Sequence, residues 1–128
     1  MRVLVVDDDA INRRILMEML SAVDVDVVEA DLACAALNLL EGEVFDLVLM
    51  DVRMPDMDGF EAVRRIRRLS GEAATTPVVM VTGDVTSETS KRAAECGADH
   101  VLHKPVDMRV LLRTVARLIL TSAQGALA

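Results

Sequence analysis

The chain has 128 residues, 52% hydrophobic and 27% charged, which suits one domain with a real core and excludes a disordered polyelectrolyte. Its 21 acids outnumber 14 bases for a net charge of −7, which argues against nucleic acid or an anionic membrane surface as a direct partner. No apolar segment approaches the ~20 residues of a membrane span, and no leader precedes the first strand signal, so the expectation is a cytoplasmic protein.

Val3-Leu4-Val5-Val6 is the first strand signal, and it stops on Asp7-Asp8-Asp9. A helical pattern follows, with Ile11, Ile15, Leu16, Met19 and Leu20 predicted on one inward face, and Asp9 either solvated or capping that helix. Val25–Ala30 reads as a weaker, alternating strand. Asp31 is expected to cap a helix over Leu32–Glu41, with Leu37 and Leu40 inward and Gly42 as its stop. Cys34, on this helix, and Cys96 further on are too far apart for a CxxC pair and read as reduced helix-face or core thiols.

The next stretch organises the whole chain. Leu47-Val48-Leu49-Met50 is a continuous apolar run, as in a strand buried on both faces. It ends on Asp51, then breaks into Val52-Arg53-Met54-Pro55-Asp56-Met57-Asp58-Gly59, where Met54 and Met57 are expected to pack the loop. Phe60, Val63 and Ile66 line a third helix, whose Arg64, Arg65, Arg67 and Arg68 read as a solvated basic face. Val78-Val79-Met80-Val81 is the fourth strand and leads to Thr82-Gly83. Thr86 or Ser87 caps a fourth helix that ends at Gly97. His100-Val101-Leu102-His103 is a mixed fifth strand with edge histidines, ending on Lys104-Pro105. Asp107 caps a fifth helix with Leu111, Val115, Leu118 and Ile119 inward.

Five βα units predict an α/β fold, a doubly wound parallel sheet covered on both faces. The repeat occupies 1–121 as one domain and leaves 122–128 as a flexible C-terminal tail. In such sheets ligands bind beyond the carboxyl ends of the strands, where the strand order reverses. With the order 2-1-3-4-5, Asp7, Asp8 and Asp51 converge in one crevice. Three carboxylates there repel one another unless a cation intervenes, and Mg²⁺ suits an all-oxygen set. Thr82 and Lys104 fall on the same rim. A strand-end carboxylate, an acidic pair, a hydroxyl and an ammonium form a coherent phosphoryl-transfer set.

These residues resemble the receiver domain of two-component response regulators, of the chemotaxis-regulator-like, flavodoxin-like (βα)5 type. The resemblance rests on Asp7-Asp8, Asp51 with Met54-Pro55 and Asp58-Gly59, Thr82, and Lys104-Pro105, and it runs from about Arg2 to Leu120. It implies Asp51 as phosphoacceptor. It implies Asp8 as a direct Mg²⁺ ligand, Asp7 as one acting mainly through water, and the Arg53 carbonyl as a further one. Lys104, and Thr82 with the Gly83 amide, would bind phosphoryl oxygens. The Lys104–Pro105 bond is expected cis. The implied donor is a phosphohistidine on a histidine kinase or histidine phosphotransfer protein. The implied role is a signalling module that catalyses its own Asp phosphorylation and dephosphorylation and is otherwise no enzyme.

The family's output face is the fourth helix, fifth strand and fifth helix, about Ser87–Leu120, where an unidentified downstream protein or a second copy would dock. The family also places an aromatic where this chain has Val101. That departure keeps a pseudo-receiver, binding partners without phosphorylation, as the alternative. The opening Ile11-Asn12-Arg13-Arg14-Ile15 is similar to receivers attached to hybrid sensor kinases, so both a stand-alone receiver and an excised one stay open. Arg53 and Asp84 are expected to pair across the site's mouth. An aspartyl phosphatase of the haloacid-dehalogenase type would need a second Asp where Arg53 stands. Neither GxGxxG nor GxxxxGK[ST] is present.

Overall fold

The structure is a computed structural model, described here for residues 1–127 in backbone and 1–120 in side chains. Five strands, β1 (Arg2–Val6), β2 (Asp26–Ala30), β3 (Leu47–Asp51), β4 (Val78–Thr82) and β5 (His100–His103), alternate with α1 (Ala10–Leu20), α2 (Ala33–Gly42), α3 (Gly59–Arg67), α4 (Ser87–Cys96) and α5 (Met108–Leu127). All pairings are parallel, in the predicted order β2-β1-β3-β4-β5. A short 3₁₀ turn, Gly71–Thr75, was not foreseen. The sequence-based division at residue 121 and the flexible tail over 122–128 fall outside the described side chains.

The side-chain period of a strand is two, so each central strand feeds two cores. Leu4, Val6, Val48, Met50 and Met80 face the layer that contains α2, α3 and α4. Val3, Val5, Leu47, Leu49 and Val79 face the layer of α1 and α5. Strands β3 and β4 are buried along their whole length, which is why their sequences show no polar alternation. Both cores are aliphatic apart from Phe45 and Phe60, which join the first.

Two helices differ from expectation. On α1, Leu16 and Leu20 are buried, but Ile11 is 70% and Ile15 44% exposed. The helix packs on β1, β2 and α5, and Ile11 and Ile15 lie outside that packed face. On α2, Leu32 rather than Asp31 is the N-cap residue, with no side-chain cap of its own. Its free amides are met from outside: the Asp56 carboxylate accepts from Ala33 N–H at 3.3 Å and Cys34 N–H at 2.8 Å. The local reading failed because a residue 22 positions away supplies the cap.

Local chemistry sets the other helix starts, at Asp9, Thr86 and Asp107 as expected and at Asp58 without having been predicted. Asp9 caps α1, accepting from Ile11 N–H at 2.8 Å. Thr86 caps α4, which closes on Gly97 at φ 101°. Asp107 accepts from Arg109 and Val110 N–H at the start of α5. Asp58 caps α3, and Gly59 lets that helix abut the end of β3. A Cβ at Gly59 would run into the Asp51 carbonyl oxygen and come within 2.9 Å of Val52 Cα.

The arginines of α3 are not one solvated face. Arg64 and Arg65 pair with Glu61. Arg67 instead turns toward the loops before β4 and β5, donating to the Gly97, Ala74 and Thr76 carbonyls at 3.0, 3.1 and 2.7 Å and to the Asp99 carboxylate at 3.0 Å.

Candidate functional site

The site lies beyond the carboxyl ends of β1, β3, β4 and β5. Asp7 follows β1 and is 2% exposed. Its backbone is fixed by its N–H to the Ala30 carbonyl at 3.1 Å and by Arg13 Nη1 donating to its own carbonyl at 2.6 Å. Arg13 is in turn paired with Glu29 at 3.0 Å. One Asp7 oxygen accepts from Asp9 N–H at 2.9 Å, which turns the chain into α1. The other faces the crevice. Asp8 is exposed beside it.

Asp51 ends β3 and is 7% exposed. One carboxylate oxygen from each of Asp7, Asp8 and Asp51 lies within 4.8 Å of the others. The Lys104 ammonium bridges the two buried acids, 3.1 Å from Asp51 Oδ1 and 3.3 Å from Asp7 Oδ2. Three negative charges thus face one positive charge. Two like charges at this separation repel by roughly 3–4 kcal/mol at an effective dielectric near 20. Burial, then the charge of Asp7, pushes the Asp51 carboxyl above its ordinary value, against the opposing pull of Lys104. Burial works against the Lys104 ammonium, but the hydrogen bond and charge of Asp51 outweigh it, and its pKa is raised.

The donor set is all oxygen, with an uncompensated negative charge and one exposed member open to solvent. Such a set fits a hard divalent cation and offers nothing to a soft one. Cys34 and Cys96 are free and lie on α2 and α4, away from this cluster. Burial raises the Cys96 thiol, and the Asp56 carboxylate raises that of Cys34, so neither is poised as a nucleophile.

Thr82 ends β4 and is buried, and its hydroxyl oxygen accepts from Asp84 N–H at 3.2 Å. Gly83 follows it, and the Lys104–Pro105 bond is cis. Arg53 Nη2 and Asp84 Oδ2 approach to 3.9 Å across the mouth, both largely exposed. Val101 is half-buried against the first core and reaches no polar group of the site. The structure therefore brings together Asp7, Asp8, Asp51 and Lys104, with Thr82, Gly83 and Arg53 around them.

Sequence reasoning missed Arg13 and His103. Arg13 stood out only as part of the Ile11–Ile15 opening, and its reach to the Asp7 carbonyl depends on how α1 packs on the sheet. His103 donates from Nε2 to the Gly83 carbonyl at 3.1 Å. Its only sequence signal was its place beside Lys104.

The profile of the response regulator receiver domain matches residues 3–116. The chain is 43% identical over 116 residues to the sensor histidine kinase RcsC of Salmonella typhimurium, covering 91% of this chain and 12% of that one. It is 36% identical over 118 residues to the sensor protein GacS of Pseudomonas syringae, covering 91% and 13%. The chain thus spans about an eighth of the length of these curated relatives. Among solved structures, a CheY-like receiver domain protein from Methanospirillum hungatei superposes with a TM-score of 0.88 at 31% identity, covering 97% of both chains. The receiver domain of a sensor histidine kinase from Pseudomonas aeruginosa, whose structure has a magnesium ion coordinated in its active-site cleft, superposes at 0.85 with 26% identity, covering 92% and 96%.

Proposed function

The chain belongs to the family of response regulator receiver domains, and on that footing we propose that it is a phosphorylation-switched signalling module whose phosphoacceptor is Asp51. The observation that carries this reading is the meeting of Asp7, Asp8 and Asp51 within 4.8 Å beneath the Lys104 ammonium. The donor is a phosphohistidine on a histidine kinase or histidine phosphotransfer protein. An Asp51 carboxylate oxygen bonds to phosphorus as the phosphorus–nitrogen bond to the donor imidazole breaks, and the imidazole leaves with the electron pair.

Each neighbour then has a task. Lys104 already touches Asp51 Oδ1, so its charge is in place before the phosphoryl group arrives and pairs with one phosphoryl oxygen. The Thr82 hydroxyl and the Gly83 amide donate to another. Asp7, Asp8, Asp51 and the Arg53 carbonyl would hold Mg²⁺, which supplies positive charge against the phosphoryl oxygens. Hydrolysis of the aspartyl phosphate at the same site resets the module. Its output is a protein contact, for which we assign α4, β5 and α5. The free thiols Cys34 and Cys96 support a reducing, cytoplasmic setting.

The test is intact mass after incubation with Mg²⁺ and acetyl phosphate, beside an Asp51→Asn control. One added phosphoryl group, absent in the control and after chelation, is the expected result. If no group is added, and Mg²⁺ with beryllofluoride leaves the melting temperature unmoved, the chain is a pseudo-receiver instead.

A further inference from the structure

The short loop after β4 is held in an unusual way. The Gly83–Asp84 peptide unit is gripped at both ends. Its N–H, on Asp84, donates to Thr82 Oγ1 at 3.2 Å. Its carbonyl, on Gly83, lies 3.1 Å from His103 Nε2. A carbonyl oxygen only accepts, so Nε2 carries the proton. The β4–β5 register sets Thr82 opposite His103, and Lys104 N–H donates to the Thr82 carbonyl at 2.8 Å. Two hydrogen bonds therefore tie residues 82–83 to residues 103–104, and a third closes the loop on itself from Asp84 to Thr82.

The next carbonyl along, that of Asp84, is held separately by Thr89 Oγ1, which donates to it at 2.9 Å. A Cβ placed on Gly83 would meet no atom within 4 Å, so the space beside this peptide is open. Glycine adds no barrier of its own to a turn of the peptide plane. The orientation matters because the Asp84 N–H occupies the acceptor side of the Thr82 hydroxyl. With that lone pair engaged, the hydroxyl proton is left to donate elsewhere, and Asp51 lies at the same rim. If the plane turned, the hydroxyl would lose its anchor and spread over its rotamers.

We infer that His103 is a positioning residue for phosphoryl transfer: through the Gly83–Asp84 peptide it holds the Thr82 hydroxyl as a donor toward the phosphoryl group on Asp51. This rests on the reading of Asp51 as phosphoacceptor. His103 touches neither the phosphoryl group nor the metal ligands. It acts on the fourth strand's loop from the fifth strand, two residues beyond Val101 and on the same side of the strand.

The experiment follows phosphorylation by intact mass, with acetyl phosphate and Mg²⁺, in wild type, His103→Leu, His103→Gln, Thr82→Val and the His103→Leu/Thr82→Val pair. His103→Leu should slow phosphorylation about three- to tenfold, the scale of one neutral hydrogen bond. His103→Gln keeps an N–H donor and should restore most of the rate. On the Thr82→Val background, His103→Leu should cost nothing further, because its effect runs through that hydroxyl. A wild-type rate in His103→Leu, an equal loss with Gln, or an undiminished loss on the Thr82→Val background would each overturn the proposal.

If wild type takes up no phosphoryl group and Mg²⁺ with beryllofluoride leaves its melting temperature unmoved, the Asp51 reading has failed, and hydrogen exchange at the Asp84 amide decides the grip by itself. Faster exchange in His103→Leu than in wild type supports it. Equal exchange overturns it.

Discussion

The two ends of the sheet handle charge in opposite ways. At the amino end, the Asp99 and Asp46 carboxylates are matched. Asp99 accepts from Arg67 at 3.0 Å and from Val78 N–H at 2.8 Å, and Asp46 accepts from Arg2 N–H at 2.8 Å. At the carboxyl end, Asp7, Asp8 and Asp51 share the single ammonium of Lys104. A matched charge holds the fold together and asks for nothing more. An unmatched cluster is kept at a cost in stability, and the cost is removed only when something positive binds. The imbalance is what distinguishes the working end from the structural one.

The largest expected effect strikes the matched end. Arg67→Ala removes four hydrogen bonds, takes their donor from three carbonyls and leaves the Asp99 carboxylate with its Val78 N–H bond and no cation. It should destabilise the fold by about 2–3 kcal/mol in urea melts. A loss below about 1 kcal/mol would mean that this end is no better matched than the other, and the comparison would fall.

The unmatched end should respond with the opposite sign. The folded state raises the Asp51 pKa through burial and the charge of Asp7. The folded protein then binds more protons than the unfolded one as pH rises through the window between the ordinary carboxylate value and the raised one. Stability must fall across that window and stay low above it. Asp51→Asn, neutral at every pH, should therefore be more stable than wild type near pH 7 in chelator, by about 1 kcal/mol, the common scale of such relief. The difference should vanish below pH 3.8 and shrink or invert in Mg²⁺. Thermal melts with and without the ion read this out. A less stable Asp51→Asn in chelator would show that Lys104 already balances the cluster.

The smallest effect sits at the mouth. Arg53 and Asp84 are 3.9 Å apart and largely exposed. Arg53→Ala or Asp84→Ala should leave stability within about 0.5 kcal/mol of wild type and change the decay of the aspartyl phosphate by about threefold. Decay unchanged in both would remove the pair from any part in water access.

Much of this was legible in the chain. Leu47–Met50 and Val78–Val81 announce buried strands because both faces of an inner parallel strand are apolar. Asp51 stands out because a carboxylate ends such a run. What escaped was whatever depends on distant partners. Ile11 and Ile15 fit the helical period of α1, yet the helix's course over the sheet leaves them exposed. Asp31 had the chemistry of a cap, but Asp56 does the capping across the fold. Arg67 looked no different from Arg64, Arg65 and Arg68, and only its position above Gly97 and Asp99 turns it inward. Periodicity reports which side of an element is apolar. It does not report where that side points once the layers have stacked.

Lys104 comes from the last strand of the sheet, 97 residues after Asp7. During synthesis the acidic residues emerge first and the cation that steadies them follows only after β4 and α4. A half-folded sheet therefore carries Asp7 and Asp51 without the ammonium that bridges them, and the cluster gains its cation only when β5 is in place.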